Sequence, residues 1–278
     1  RPDSDRMPGL IINGREVPVP GRKVVNFLDD PRLTLKIPED GRHRAADAPV
    51  SLIVLHTTKG IPGGKDKRSQ VIREGLGPDI GAELRVAKFW STSDLQSGAP
   101  IVVDFDGSIG CLADLQTDMG YHARLMNTRS VGIEIYQGAG AELYRGQLDA
   151  VADLVDVLTA EFGIQRQMPD RYRGALRRLS TGAADFVGVV GHRDGDNNRG
   201  LGDPGDAVFD VLAARGYERF NLVTLQDRAV WRDRQVRINA RGHRLTVDGL
   251  PGKKTRDALA AIGYRHGLWA DLMSPPAS

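Results

Sequence analysis

Two histidines occupy matching places in the chain. His56 closes the apolar run Ser51-Leu-Ile-Val-Leu-His56, and His192 closes Phe186-Val-Gly-Val-Val-Gly-His192. Short apolar runs of this kind read as buried strands. In open α/β sheets, the residue at the C-terminal end of a strand faces the rim where ligands bind. If these two strands are neighbours, both imidazoles converge. Asp203 opens the turn sequence Asp203-Pro-Gly205, which would bring a carboxylate to the same rim. Two imidazoles and a carboxylate make a three-ligand zinc set that leaves a fourth position for water. Read from position alone, hydrogen-bonded rim histidines remain the alternative.

A fourth residue adds to this group. Glu134 lies inside Val131-Gly-Ile-Glu-Ile-Tyr136. Alternation puts Val131, Ile133 and Ile135 on one face and Gly132, Glu134 and Tyr136 on the other. An ionised carboxylate in such a strand is costly unless it is paired or used. It suits a general base beside an activated water. A solvent-facing position on an edge strand is the bland alternative.

The elements that must position these groups can be read coarsely. Residues 1–48 are punctuated by six prolines and read as an N-terminal arm or wrap, with short strands such as Gly9-Leu-Ile-Ile-Asn-Gly. Thr57 to Asp66 is a glycine- and proline-rich loop. Val71 to Trp90 mixes polar and apolar residues and gives only a weak signal. Pro100 to Leu112 reads as a hairpin turning at Asp106-Gly107. Glu142 to Phe162 carries Leu148, Val151, Val155, Leu158 and Phe162 on one helical stripe, with Gly163 as its stop. Residues 165–185 are basic and read as an insertion or exposed face. A short helix follows Asp206 and ends at Gly216. We expect an α/β (α+β) fold with a mixed central sheet flanked by helices.

Composition bounds the function. The chain has 278 residues, 40% hydrophobic and 27% charged, as expected of a folded globular protein. With 38 Lys and Arg against 36 Asp and Glu, a strongly basic nucleic-acid binder is disfavoured. No apolar run approaches the roughly 18 residues of a membrane span. The single cysteine, Cys111, excludes an internal disulfide and a multi-cysteine zinc finger. It reads as a small buried hydrophobe. The first residue, Arg1, leads us to expect a processed or trimmed N-terminus.

Taken in order, His56, Tyr121-His122-Ala123, Asn127, Ser130-Val-Gly-Ile-Glu134, Val189-Val-Gly-His-Arg-Asp194 and Asp203-Pro-Gly205 resemble a known family. The pattern is similar to that of the zinc N-acetylmuramoyl-L-alanine amidases of the amidase-2 type. Relatives include phage amidases, anhydromuropeptide amidases and peptidoglycan-recognition proteins. The resemblance covers about residues 50–216. It implies zinc held by His56, His192 and Asp203, with Glu134 as catalytic acid/base. It places His122, Asn127 and Thr57 on the substrate side. Members without the Glu often use a Tyr before the Asp-Gly turn; here that stretch is Gly98-Ala99-Pro100, which favours the Glu-using branch. The family usually has Lys two residues before the third ligand, whereas this chain has Leu201. Arg199, or else His122, is then the expected support for the oxyanion, and a muropeptide binder without turnover is the alternative that Leu201 raises. A zinc peptidase cutting the stem peptide is a third reading.

The resemblance also implies peptidoglycan or muropeptide as partner, and a secreted, periplasmic or phage-lysin setting. Nothing in the sequence demands an oligomer, and we expect a monomer. Beyond a boundary near 217–225, Gln235, Asn239, Gly242 and Val247-Asp-Gly-Leu-Pro-Gly-Lys-Lys-Thr255 resemble the small helical peptidoglycan-binding module. Thr255 is its expected helix N-cap, with Ala258, Leu259 and Ile262 inward. The expected organisation is therefore an arm over 1–48, an amidase-like domain over 49–220 and the module over 221–278.

Overall fold

The computed structural model describes residues 8–30, 32–35, 43–58, 70–92, 97–169, 186–195, 202–220, 228–250 and 252–262. Its centre is a six-stranded sheet. The strands are β3 (Val24–Asn26), β4 (Leu52–Thr57), β6 (Ile101–Val103), β7 (Ile109–Cys111), β8 (Ser130–Ile135) and β11 (Gly188–Gly191), in the order β11-β4-β8-β6-β7-β3. All neighbouring pairs are parallel except the β6–β7 hairpin. Around it lie three two-stranded pairs: β1 (Leu10–Ile12) with β2 (Arg15–Val17), β5 (Val71–Arg73) with β9 (Glu142–Tyr144), and β10 (Gln167–Pro169) with β12 (Glu218–Phe220). The α-helices longer than one turn among the described residues are α1 (Ala82–Thr92), α2 (Arg145–Glu161), α3 (Asp206–Ala214), α4 (Arg228–Asn239) and α5 (Lys253–Ala261). The expected mixed α/β sheet is what forms. No helix among the described residues is long and apolar enough to cross a membrane.

Strand alternation divides the sheet into two unlike faces. Ile53 and Leu55 of β4, Val131, Ile133 and Ile135 of β8, and Val189 of β11 join α2 and α3 in the main core. The opposite face carries Leu52 and Val54 with Phe186 and Val190 at one end, and Val102 beneath Ala87 and Trp90 of α1 at the other. His56, Gly132 and Glu134 belong by alternation to this second face.

Several boundaries differ from the sequence reading. The N-terminal stretch is more than an arm, because β3 pairs with β7 as the sheet's edge strand. Its three residues are too few for a periodic signal. α2 begins at Arg145 rather than Glu142, because Glu142–Tyr144 pair with β5. The hairpin loop closes where Gly107 N–H donates to the Asp104 carbonyl, with Gly107 at φ 81°. Residues 170–185, most of the basic stretch, lie outside the described residues. Cys111 is fully buried, and burial pushes its thiol up to about 11.

In the C-terminal stretch, α4 and α5 share a small core of Trp231, Ile238, Ala258 and Leu259. Thr255 is not the helix cap. It lies within α5, buried, and its hydroxyl meets the Gln235 amide at 3.3 Å. Gln235 also donates to Asp248 and to the Leu250 carbonyl and accepts from Gly249 N–H. One buried amide thus clamps the whole Asp-Gly turn.

One buried carboxylate marks where α1 starts. Asp104 accepts from the backbone N–H of Ile80, Ala82 and Phe105, which satisfies donors at the helix start. Glu83, the second residue of α1, packs beneath β7, where a Cβ on Gly110 would stand 2.7 Å from that of Glu83. Burial, reinforced by Asp104, raises the Glu83 carboxyl to about 6. The folded state therefore holds this proton more tightly than the unfolded chain. Its contribution is present below about 4.5 and is lost as pH rises through about 6, by at most about 2 kcal/mol. Glu83→Gln should remove that component. Thermal unfolding of both proteins from pH 4.5 to pH 8 checks it: the variant should gain on the wild type as pH rises, and parallel profiles would contradict the assignment.

Candidate metal centre and cleft

The parallel register β11-β4-β8 does the positioning. Gly191 pairs with Leu55 and His56 pairs with Glu134. His192 directly follows β11, so both histidines leave adjacent strands at the same end. His56 and Glu134 lie one strand spacing apart, about 4.8 Å. Asp203 enters from the loop before α3 and is fixed by β4 itself. Thr57 N–H donates to Asp203 Oδ1 at 3.1 Å, and Thr57 Oγ1 donates to the Gly202 carbonyl at 3.0 Å. Arg193 N–H donates to the Asp203 carbonyl at 2.8 Å.

The result is a convergence of electron-rich atoms. His56 Nδ1 and His192 Nδ1 are 2.9 Å apart, and His192 Nδ1 is 3.2 Å from Asp203 Oδ2. One ligand atom from each of the three residues lies within 4.8 Å of the other two, and all three residues are buried. Two imidazole nitrogens and a carboxylate oxygen aimed at one point match the chemistry of a divalent transition-metal site. Thr57 N–H holds one oxygen of the carboxylate, and the other lies toward His192.

The other nitrogen of His56 is also engaged. His56 Nε2 meets His122 Nδ1 at 2.9 Å, and His122 Nε2 meets Ser130 Oγ at 3.3 Å. Each such contact needs one donor and one acceptor. Desolvation, followed by the charges of His192 and Arg44, lowers His122 to about 3, so this ring is neutral at ordinary pH. The ring lies directly over Gly132, where an added Cβ would come within 2.7 Å of its atoms. Asn127 holds the His122 loop, accepting from His122 N–H at 3.1 Å and Ala123 N–H at 2.6 Å. Arg44 ties the same loop down by donating to the Asn127 and Ser130 carbonyls. Burial lowers Arg44 to about 10.

These groups form the floor of a cleft of about 350 Å³. His56, Thr57, His122, Glu134, His192 and Asp203 all line it, together with Tyr136. Of the expected site residues, Asn127 lies outside the lining: its side chain is spent on the His122 loop. Thr57 borders the cleft, but its N–H and hydroxyl are spent on Gly202 and Asp203. Arg199 and Leu201 lie outside the described residues, as does most of the Asp194-to-Gly200 loop.

Sequence reading missed one wall of the cleft. Arg85, Val86, Phe89 and Trp90 of α1 line it, with Gly98 and Ala99 behind. A stripe of Arg85 and Phe89 at i, i+4 was the available signal. It is hidden because α1 also turns Ala87 and Trp90 to the sheet. Arg44 was equally unmarked, since a buried arginine has no local pattern.

Residues 46–206 match the family described as N-acetylmuramoyl-L-alanine amidase. The chain belongs to this family. The matched span holds every floor residue just described. Among solved structures, this amidase-family chain is similar to a human peptidoglycan recognition protein, PGRP-IBETAC, in complex with glycosamyl muramyl pentapeptide. That match has 15% identity, 71% coverage of this chain and 98% of the other, with a TM-score of 0.45. The N-acetylmuramoyl-L-alanine amidase LysC from Clostridium intestinale matches at 15% identity, covering 71% and 99%, with a TM-score of 0.40. Drosophila peptidoglycan recognition protein SD matches at 12% identity, covering 73% and 99%, with a TM-score of 0.45. No curated protein matches the sequence.

The stacking of His122 on Gly132 is open to direct test. Gly132→Ala should push the ring off His56 and lower stability by about 1–3 kcal/mol. In a His122→Ala background, the same substitution should cost much less. Denaturant unfolding of the four proteins forms a double-mutant cycle; strict additivity would show that the ring does not occupy the space above Gly132.

Proposed function

We propose that this amidase-family protein hydrolyses the amide bond between N-acetylmuramic acid and L-alanine in peptidoglycan, with zinc as its metal. The observation that carries this reading is the floor of the cleft: His56, His192 and Asp203 converge, and Glu134 stands in register beside His56. The two imidazoles and the carboxylate would hold the ion. Once bound, it supplies Lewis acidity toward the scissile carbonyl and brings the pKa of water toward neutrality.

The chain's own residues account for the rest. Water adds to the lactyl carbonyl carbon while Glu134 takes one of its protons. The same proton passes to the L-alanine nitrogen as the C–N bond breaks, and the new carboxylic acid gives its proton to the freed amine, leaving a lactyl carboxylate and an ammonium group. Glu134 is only partly buried, and it faces the cleft from a strand whose other face is core. It is therefore held rigidly yet open to substrate.

His122 acts on His56 rather than on substrate. With His56 Nδ1 turned toward the metal position, Nε2–H donates to His122 Nδ1, and His122 Nε2–H donates to Ser130 Oγ. That chain fixes the His56 tautomer and ring plane. Thr57 serves Asp203 in the same way. On the sequence alone, Arg199 is our candidate for supporting the oxyanion. Residues 221–278 are proposed as a wall-binding module, and a wall substrate places the action of the enzyme outside the cytoplasmic membrane.

Mass spectrometry of a peptidoglycan digest tests the reading. Wild-type protein with zinc should release stem peptides that begin at L-alanine, and chelation should abolish the release. Glu134→Ala should lower turnover by about 10²–10⁴-fold while leaving zinc content intact. Cleavage within the stem would make the protein a peptidase. Retention on the wall with no bond cut would favour the binding role that Leu201 raises.

A further inference from the structure

Apart from the floor of the cleft, three carboxylates gather where α1 begins. Asp79 stands just before the helix, Glu83 is its second residue, and Asp104 directly follows β6. One oxygen from each lies within 4.8 Å of the other two. Asp104 is fully buried and Glu83 is 5% exposed, while Asp79 is open to solvent. The hydrolysis described above uses none of them.

Hydrogen bonds within the protein do not close this group. Asp104 takes the N–H groups of Ile80, Ala82 and Phe105, which fills three of its roughly four lone-pair sites. Asp79 Oδ1 takes Gly81 N–H at 3.0 Å, and its other oxygen is 3.6 Å from the Lys23 ammonium. Glu83 Oε2 is buried and meets no hydrogen-bond donor among the described residues. Its stem packs against Gly110 of β7, which holds the carboxylate inward. A buried carboxylate oxygen without a donor is unfavourable, and two further carboxylates beside it make it more so. The start of α1 offers about half a positive charge. The Lys23 pair is exposed on both sides and contributes little. More than one negative charge is left uncompensated.

We propose that Asp79, Glu83 and Asp104 bind one calcium ion, which ties the start of α1 to the end of β6. Oxygen donors alone favour a hard cation over zinc. Calcium holds its oxygens at about 2.3–2.6 Å in irregular shells, so two of them stand up to about 5 Å apart across the ion. That separation accommodates the three carboxylates as they lie. Magnesium demands a near-ideal octahedron at about 2.0–2.1 Å, a poor match for ligands drawn from a loop, a helix and a strand end. The open side at Asp79 admits the waters that complete the shell. The next turns of α1 line the cleft, so the ion braces the helix that forms its wall.

Calorimetric titration of the full, zinc-loaded chain with calcium chloride near neutral pH tests the site. One ion should bind, with a Kd at or below about 10⁻³ M. Glu83→Gln and Asp79→Asn should each weaken it by about tenfold or more, because each removes a charged ligand. In calcium-free buffer Glu83→Gln should resist denaturant at least as well as the wild type, since it removes the uncompensated charge. Its loss of calcium is then not a loss of fold. Should that variant fold poorly, Asp79→Asn, changed at an exposed position, decides alone. Hydrogen exchange supplies the location: calcium should slow the amides of Ala82–Trp90 in the wild type and leave them unchanged in the variant. No binding at about ten times the stated concentration overturns the proposal. So does binding that survives both substitutions, or protection confined to other elements. Tighter binding of magnesium chloride in the same titration overturns calcium as the ion.

Discussion

The rest of this structure depends on one constraint: two imidazoles and a carboxylate must share a buried point. Left alone, their lone pairs repel and their desolvation is unfavourable. Only a rigid surround keeps them there. His56 and His192 are 136 residues apart in sequence. They meet because β11 and β4 are neighbouring parallel strands whose ends coincide. Asp203 reaches them because Thr57, the last residue of β4, binds both its side chain and the carbonyl before it. One strand therefore sets an imidazole and steers the carboxylate beside it.

The division of the sheet into two faces makes this affordable. One face is apolar along every central strand and anchors the sheet to α2 and α3. The opposite face is free to carry Gly132, Glu134 and His56, because stability does not depend on it there. Polar groups on that face are supported in a second layer: His122 against His56, Asn127 and Arg44 against the loop that carries His122. Gly132 belongs to this layer by what it lacks. Any side chain at that position would occupy the room of the His122 ring.

This arrangement explains which parts were legible from sequence. His56, His192 and Glu134 stand in or at the ends of compact apolar runs, and the period of two assigns Glu134 its face without a structure. Asp203 announces itself through the turn that follows it. The wall of the cleft was not legible. α1 divides its surface between the sheet, the cleft and solvent, so no single stripe dominates its pattern. The strand β3 and the pair β5–β9 were lost for a different reason. Three-residue strands carry no period, and their existence depends on partners distant in sequence. The family resemblance puts Asn127 on the substrate side, whereas its side-chain oxygen accepts from two backbone N–H groups of the His122 loop.

The floor and the wall obey different physical demands, and the fold assigns them to different elements. Groups that must hold a metal and move a proton need positions fixed to a fraction of an ångström. Strand ends braced by hydrogen bonds from both sides provide that. Groups that choose among ligands need reach and charge more than fixity. Arg85 and Phe89 stand exposed on the cleft side of α1, while the helix is docked through Trp90 and Ala87.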